Sequence, residues 1–224
     1  MNRHQPTPEL PVGRLPAEAV ILCGGEGKRL GRRKETVLHD GRSFLDHHLS
    51  RLLPAFVRVR VSARHSLEHP LPPEVDLILD PPEARSVIDV IAGILRTVDL
   101  PVWIVAVDLP LVPLEIPATL LRSHESSPPG TSVFVEGDRG LEMLVGLYDR
   151  AALPAIESLV ARGERKLSAI TSATSSIVLR FPADFPPLAE SSPFFNVNTP
   201  EDLTRLEERF STRDEGSPDE GGGS

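Results

Sequence analysis

Ala19-Val20-Ile21-Leu22-Cys23-Gly24-Gly25-Glu26-Gly27-Lys28-Arg29-Leu30-Gly31-Arg32-Arg33-Lys34 is the stretch whose reading decides the fold. Its first four residues are apolar, which predicts a buried first strand of a parallel sheet. A Gly-rich turn leaving such a strand brings backbone N–H groups close to an anion, because glycine has no Cβ in the way. Five of the seven residues from Lys28 to Lys34 are basic, although the chain's formal net charge is −8. A positive loop at a strand end of an acidic protein points to a phosphate ligand.

Spacing excludes two familiar phosphate loops. A P-loop needs a Gly five positions before its Gly-Lys and a Ser or Thr after it; here those positions hold Leu22 and Arg29. The dinucleotide fingerprint G-x-G-x-x-G fails at Leu30, with Gly31 one position late. What remains, L-x-G-G-x-x-x-R-x-G-x-x-K, resembles the signature loop of the GT-A-like nucleotidyltransferases, most closely the molybdenum cofactor guanylyltransferases in the MobA-like family. Read without that resemblance, the same segment is a solvated basic turn after a tight strand exit.

Composition bounds the answer. With 224 residues, 40% of them hydrophobic, the chain can bury one sizeable core. The single Cys, Cys23, allows no disulfide framework and suits a reducing, cytoplasmic setting. It reads as a small residue packed at the strand end rather than as a nucleophile. No apolar run approaches membrane-span length, and the acidic balance argues against nucleic acid. Neither a membrane nor a nucleic-acid partner is therefore expected. Residues 1–16 read as a flexible leader, 17–210 as one domain and 211–224 as a disordered tail.

Between the tails, strand and helix patterns alternate. Thr36-Val37-Leu38 and Asp40-Gly41 predict a short hairpin, and Ser43 with Asp46 predicts a reciprocal helix cap. Strands are predicted at 56–61, 75–79, 102–107, 133–135, 143–148 and 176–181. Helices are predicted at 86–97, 116–122, 151–162 and 200–210. This alternation implies an α/β fold with helices on both faces of a parallel sheet. By resemblance it is a three-layer sandwich around a mostly parallel, Rossmann-like (GT-A-like nucleotidyltransferase) sheet, and ligands gather at the carboxyl ends of its strands.

Asp108 follows the apolar run Val102–Val107. A carboxylate there is costly to bury unpaired but can face the ligand crevice and hold a cation; the alternative is a turn Asp before Pro110. Asp80, after Leu77-Ile78-Leu79, reads equally as an ordinary strand terminator or as a ligand residue. Asn196 and Asn198 lie two apart in Phe195-Asn196-Val197-Asn198-Thr199-Pro200-Glu201-Asp202-Leu203. Their amides can hydrogen-bond a ligand without adding charge, or simply occupy the turn before a helix capped by Thr199. Arg162–Lys166 reads as a solvated charged turn. The histidines show no metal-ligand spacing.

The resemblance assigns roles to these positions. Asp108 matches an Asp-x-Pro that binds Mg²⁺ and touches the nucleotide, and Asp80 an Asp near the guanine nucleotide. Ser62 stands where the family often has a base-facing Asn. The final segment resembles the closing motif Asn-x-Asn-Thr-Pro-Glu-Asp/Glu-Leu, which implies acceptor binding by Asn196 and Asn198. The implied reaction transfers GMP from GTP to molybdenum-loaded molybdopterin. Leu22, Cys23, Gly24, Gly25 and Lys34 would bind the nucleotide, with Arg29, Lys34 and Asp108 catalytic. Transient contact with molybdoenzymes or their chaperones is a further implication. Ile88-Asp89 departs from the family's Gly-Pro ahead of Leu-Ala-Gly, of which only Ala92-Gly93 is retained. Two rival readings follow: a same-fold transferase for another base or acceptor (cytidylyl, sugar- or cobinamide-phosphate), or a non-catalytic GTP-binding delivery protein.

Overall fold

Leu15–Leu22 forms the first strand, β1, and its side chains alternate between two apolar clusters. Ala19 and Ile21 enter one; Val20 and Leu22 enter the other. Burial on both faces is why Ala19–Leu22 is an unbroken apolar run, and the one charge inside the strand, the buried Glu18, is paired with Arg60 at 2.8 Å. The computed structural model describes residues 13–24, 30–188 and 193–214. Gly25, Lys28 and Arg29 of the signature loop lie outside the described residues, as does the tail from 215 onward.

A 3-10 turn at Lys34–Thr36 leads into the hairpin β2 (Leu38–His39) and β3 (Arg42–Ser43). Asp40 (φ 49°) and Gly41 (φ 72°) close it, the double left-handed geometry that fits the twist of a two-residue hairpin. Ser43 caps α1 (Phe44–Ala55). Asp46 N–H donates to Ser43 Oγ at 3.0 Å, and the Asp46 carboxylate accepts from Ser43 N–H at 3.3 Å, the reciprocal box expected from the sequence. There follow β4 (Phe56–Ala63), β5 (Asp76–Leu79), α2 (Val87–Leu95), β6 (Val102–Ala106) and α3 (Glu115–Glu125). The remainder comprises β7 (Ser132–Gly137), β8 (Gly140–Leu141), β9 (Leu147–Tyr148), α4 (Leu153–Ala161), α5 (Ala169–Ala173), β10 (Ser176–Arg180) and α6 (Pro200–Asp214).

The main sheet runs β10-β7-β9-β6-β1-β4-β5, with β8 beside β7. β1 pairs in parallel with both β4 and β6, β4 with β5, and β7 with β10, while β9 runs antiparallel between β6 and β7. Phe44, Leu45 and Leu49 of α1, with Ile116 and Leu120 of α3, cover one face. Ile88, Ile91 and Ile94 of α2, Ile156 of α4 and Ile170 of α5 cover the other. The three layers and the mostly parallel sheet are those expected.

Four local expectations are corrected. β1 starts at Leu15, inside the stretch read as a leader: Leu15 is buried against Phe56, and Pro16 is accommodated where the pairing register shifts between Leu15 and Glu18. α6 continues to Asp214, past residue 210. The segment from Met143 to Tyr148 is not one strand but a 3-10 turn, Met143–Val145, followed by the two residues of β9. Side chains take up its backbone groups: Trp103 Nε1–H donates to Val145 O at 3.1 Å and Tyr148 O–H to Met143 O at 2.8 Å. A Cβ at Gly146 would stand 2.6 Å from the Phe134 ring, so this tight path requires glycine. Finally, the short β8 and α5 were not anticipated; at two and five residues they are too brief for a periodic pattern.

His48 of α1 is buried against the end of β6. Burial, helped by the charges of Arg51 and His47 and opposed by the Val107 carbonyl, pushes its imidazole from 6.5 down to about 3. Between those values the unfolded chain binds a proton that the folded chain refuses, so stability falls as pH drops through that window and is unaffected above it. We expect unfolding free energy to fall by up to about 1.4 kcal/mol per pH unit from this group alone. Denaturant unfolding at pH 7, 6 and 5 should show a shallower decline for His48→Leu; parallel curves would contradict burial of a neutral imidazole.

Candidate active site

β1 is flanked by β4 and β6; α1, which follows β1, covers one face and α2, which precedes β6, covers the other, so a crevice opens at the carboxyl ends of β1 and β6. The ladder holds to the last residues: Cys23 N–H donates to Ser62 O at 2.8 Å, and Val107 N–H to Leu22 O at 3.1 Å. Gly24 and Asp108 are thereby delivered to neighbouring points on the rim.

Lys34 joins them. Its Nζ donates to Asp108 Oδ2 and to Asn198 Oδ1, both at 2.6 Å, tying together segments 74 and 164 residues away in sequence. The Lys34 and Asp108 side chains keep 18% and 13% of their exposure, so the pair sits in the crevice mouth and remains reachable. Val197 N–H donates to Asp108 O at 3.0 Å, which docks the final segment onto the end of β6. Thr199 caps α6 as expected: Asp202 N–H donates to Thr199 Oγ1 at 3.2 Å, and the Asp202 carboxylate accepts from Asn198 and Thr199 N–H. Asn196, across the buried Val197, has a buried Oδ1 with no hydrogen-bond partner among the described residues. On the far side, Arg51 of α1 donates to Pro110 O at 3.0 Å and to Val112 O, holding the loop that follows Asp108.

Beside this cluster lies a cleft of about 710 Å³, lined by Cys23, Gly24, Glu35, Asp80, Arg85 and Ser86 among others. Asp80 reaches it from the end of β5, oriented by Ser62 Oγ–H, which donates to Asp80 Oδ1 at 2.7 Å. Ser62 is itself buried, and its short side chain is engaged by the Asp80 carboxylate. Leu22 likewise turns its side chain into the core, and its carbonyl is used in the ladder. The Cys23 thiol is pushed up strongly by burial, with Glu35 and Asp80 adding to the shift, so it stays protonated and cannot act as a nucleophile.

The Ile88-Asp89 departure has a local cause. Ile88 is a core residue, and the Asp89 carboxylate accepts from Ser86 Oγ–H (2.6 Å), Ser86 N–H (2.8 Å) and Arg85 N–H (3.3 Å). The entrance to α2 is thus satisfied by its own capping box. Gly93 is needed one turn on, where a Cβ would lie 2.9 Å from Pro81. Sequence reading gave no role to Glu35, Arg64 or Arg85, counted Arg33 only within the basic loop and set His65 aside, yet all five line the cleft. For Glu35 the signal was its place directly after the closing lysine. The turn Arg162–Lys166 folds on itself, with Glu164 Oε1 accepting from Arg165 and Lys166 N–H at 2.8 Å each, as a solvated turn should.

The family profile described as the MobA-like NTP transferase domain matches residues 19–177, well over half of the chain. The chain belongs to the MobA-like NTP transferase family. This transferase is 28% identical to a molybdenum cofactor guanylyltransferase of Rhizobium johnstonii, over 84% of this chain and 90% of that one. Its fold matches a molybdopterin-guanine dinucleotide biosynthesis protein A of Archaeoglobus fulgidus (TM-score 0.72, 24% identity), covering 87% of this chain and 99% of the other. It also matches a 2-C-methyl-D-erythritol 4-phosphate cytidylyltransferase of Thermus thermophilus at TM-score 0.61 and 14% identity, covering 86% and 98%. The same scaffold therefore carries enzymes for different bases, and base choice has to be argued from the cleft.

Asp108 sits where a carboxylate can act without supporting the core. We expect Asp108→Asn to lower turnover by about a thousandfold, equivalent to ~4 kcal/mol of transition-state stabilisation, while Tm moves by no more than a few degrees. Steady-state pyrophosphate release together with thermal unfolding checks both halves. Near wild-type turnover would remove Asp108 from the reaction, and loss of folding would make it a structural turn residue.

Proposed function

We propose that this transferase moves GMP from GTP to the phosphate of molybdenum-loaded molybdopterin and releases pyrophosphate. The observation that carries the reading is the Lys34 ammonium held between Asp108 and Asn198 beside a cleft of about 710 Å³. The names of the guanylyltransferase relatives support the choice of base and acceptor.

In this reading the acceptor phosphate oxygen attacks the α-phosphorus in line. A new P–O bond forms, the α–β bridge breaks, and the electron pair leaves with pyrophosphate. No covalent intermediate on the protein is required, so the residues act by positioning and by neutralising charge. Gly24 and Gly25 offer backbone N–H groups to the β- and γ-phosphates. Lys34 and Arg29 offset the triphosphate charge, and Lys34 gives up part of its contact with Asp108 as it does so. Asn196 and Asn198 meet the acceptor through uncharged amides.

The donor set at Asp108 fits Mg²⁺. The carboxylate is a hard oxygen donor whose Oδ1 has no hydrogen-bond partner among the described residues. No group of three His, Cys, Asp or Glu surrounds it among them, so an ion there would complete its shell with substrate phosphate oxygens and water, the usual arrangement for Mg²⁺. Held by Asp108, it would supply positive charge at the α-phosphate.

We place the protein in the cytoplasm as a single transferase domain, with transient contact to molybdoenzymes or their chaperones at delivery. Among the described residues no helix is long and apolar enough to cross a membrane. One observation favours the second reading, a same-fold transferase for another base or acceptor: Asp89 takes up the backbone N–H groups of Arg85 and Ser86, two residues of the cleft lining.

Pyrophosphate release measured with GTP, ATP, CTP and UTP, each with and without molybdenum-loaded molybdopterin, separates the readings. Release with GTP alone among the four, and only with the acceptor present, is the expected result. Equal turnover of CTP would overturn the guanylyl assignment, and GTP binding without release would favour the delivery protein.

A further inference from the structure

Glu35 is the least explained charge near the cleft. The residue retains 4% of its exposure, and its carboxylate makes no hydrogen bond or ion pair with any described residue. Its oxygens are not among the fully buried unpartnered polar atoms, so they open onto the cleft that the residue lines, where donors arriving with a ligand are their natural partners. Asp80 and Cys23 line the same cleft, so the two acidic residues share it at the end of β1.

The neighbouring groups narrow the kind of ligand edge that fits. Asp80 already has one oxygen engaged by Ser62. The Arg85 and Ser86 backbone donors and the Ser86 hydroxyl are spent on Asp89. Glu35 is left as a pure acceptor with two oxygens side by side. Adenine and cytosine each present an amino donor beside a ring-nitrogen acceptor, and uracil presents one N–H between two carbonyls. Each of these edges sets an acceptor against the carboxylate. Guanine alone among the four offers two adjacent donors, N1–H and the 2-amino group. The arginines of the cleft wall, Arg64 and Arg85, supply donors for the guanine O6 and the ribose or phosphate oxygens.

We propose that Glu35 is the base-reading residue, accepting N1–H and the 2-amino N–H of guanine in a paired contact. The assignment rests on the GTP reading above and adds the residue that enforces it. With the Arg85 and Ser86 donors taken up by Asp89, the base-reading group in this assignment is a side chain next to Lys34.

Equilibrium binding of GTP and XTP to the wild-type protein and to Glu35→Gln tests this. Xanthine keeps N1–H but carries a carbonyl at position 2, which a carboxylate repels and an amide N–H can meet. Wild type should favour GTP over XTP, and Glu35→Gln should shift the GTP:XTP ratio toward XTP by about ten- to a hundredfold, the loss expected for hydrogen bonds to a charged group. The ratio does not depend on the fraction of variant that folds. If Glu35→Gln keeps the wild-type GTP:XTP ratio while wild type still prefers GTP over ATP, CTP and UTP, guanine is read elsewhere and the inference fails alone. If wild type shows no preference for GTP among the four nucleotides, the GTP reading fails and takes this inference with it.

Discussion

One ammonium group ties the functional end of this protein together. Lys34 comes from the turn after β1, Asp108 from the end of β6 and Asn198 from the segment before α6, and they meet only because Nζ lies 2.6 Å from an oxygen of each. A partly buried ion pair of this kind gains little net stability, since desolvation offsets much of the attraction. Its value lies in placement. In the proposed reaction the charge stands prepositioned at the crevice mouth, with exposure left to be shared with an incoming polyphosphate.

The rest of the fold can be understood as support for that contact. Parallel pairing of β1 with both β4 and β6 puts Gly24 and Asp108 on the same rim. Arg51 anchors the loop after Asp108 by two carbonyls, and His48 fills the space under Val107 without bringing a charge. The capping box of α6 fixes the backbone amides around Asn198, so its side-chain oxygen arrives at Lys34 already oriented. Each supporting group uses ordinary secondary-structure chemistry, which is why the site can be built at strand ends and loops without distorting the sheet.

Much of this was legible in the residues. The unbroken apolar runs at Val20 and Ile104 required strands buried on both faces, and the Ser43/Asp46 spacing required a capped helix; both depend on local pattern alone. The partnership of Lys34 with Asp108 and Asn198 was only half legible. The residues stood out by motif, but the contact spans 74 and 164 positions and is created by topology. The Ser62–Asp80 contact was not legible, because it joins the ends of neighbouring strands that are 18 residues apart. Glu35 went unnoticed because a charge beside a basic loop looks solvated until the fold packs the Lys34–Thr36 turn against α1 and buries it. The Met143–Tyr148 segment hid its turn because the Trp103 and Tyr148 side chains, not a ladder, satisfy its carbonyls.

The central claim is that Lys34 and Asp108 work as one unit on the triphosphate. A double-mutant cycle on kcat/KM for pyrophosphate release, using Lys34→Ala, Asp108→Asn and the double variant, measures it most directly. The account predicts strong non-additivity: the double variant should be no slower than the worse single one, with a coupling above about 1.4 kcal/mol. Losses that multiply, with coupling below about 0.5 kcal/mol, would mean the two groups act independently, and the claim would be contradicted.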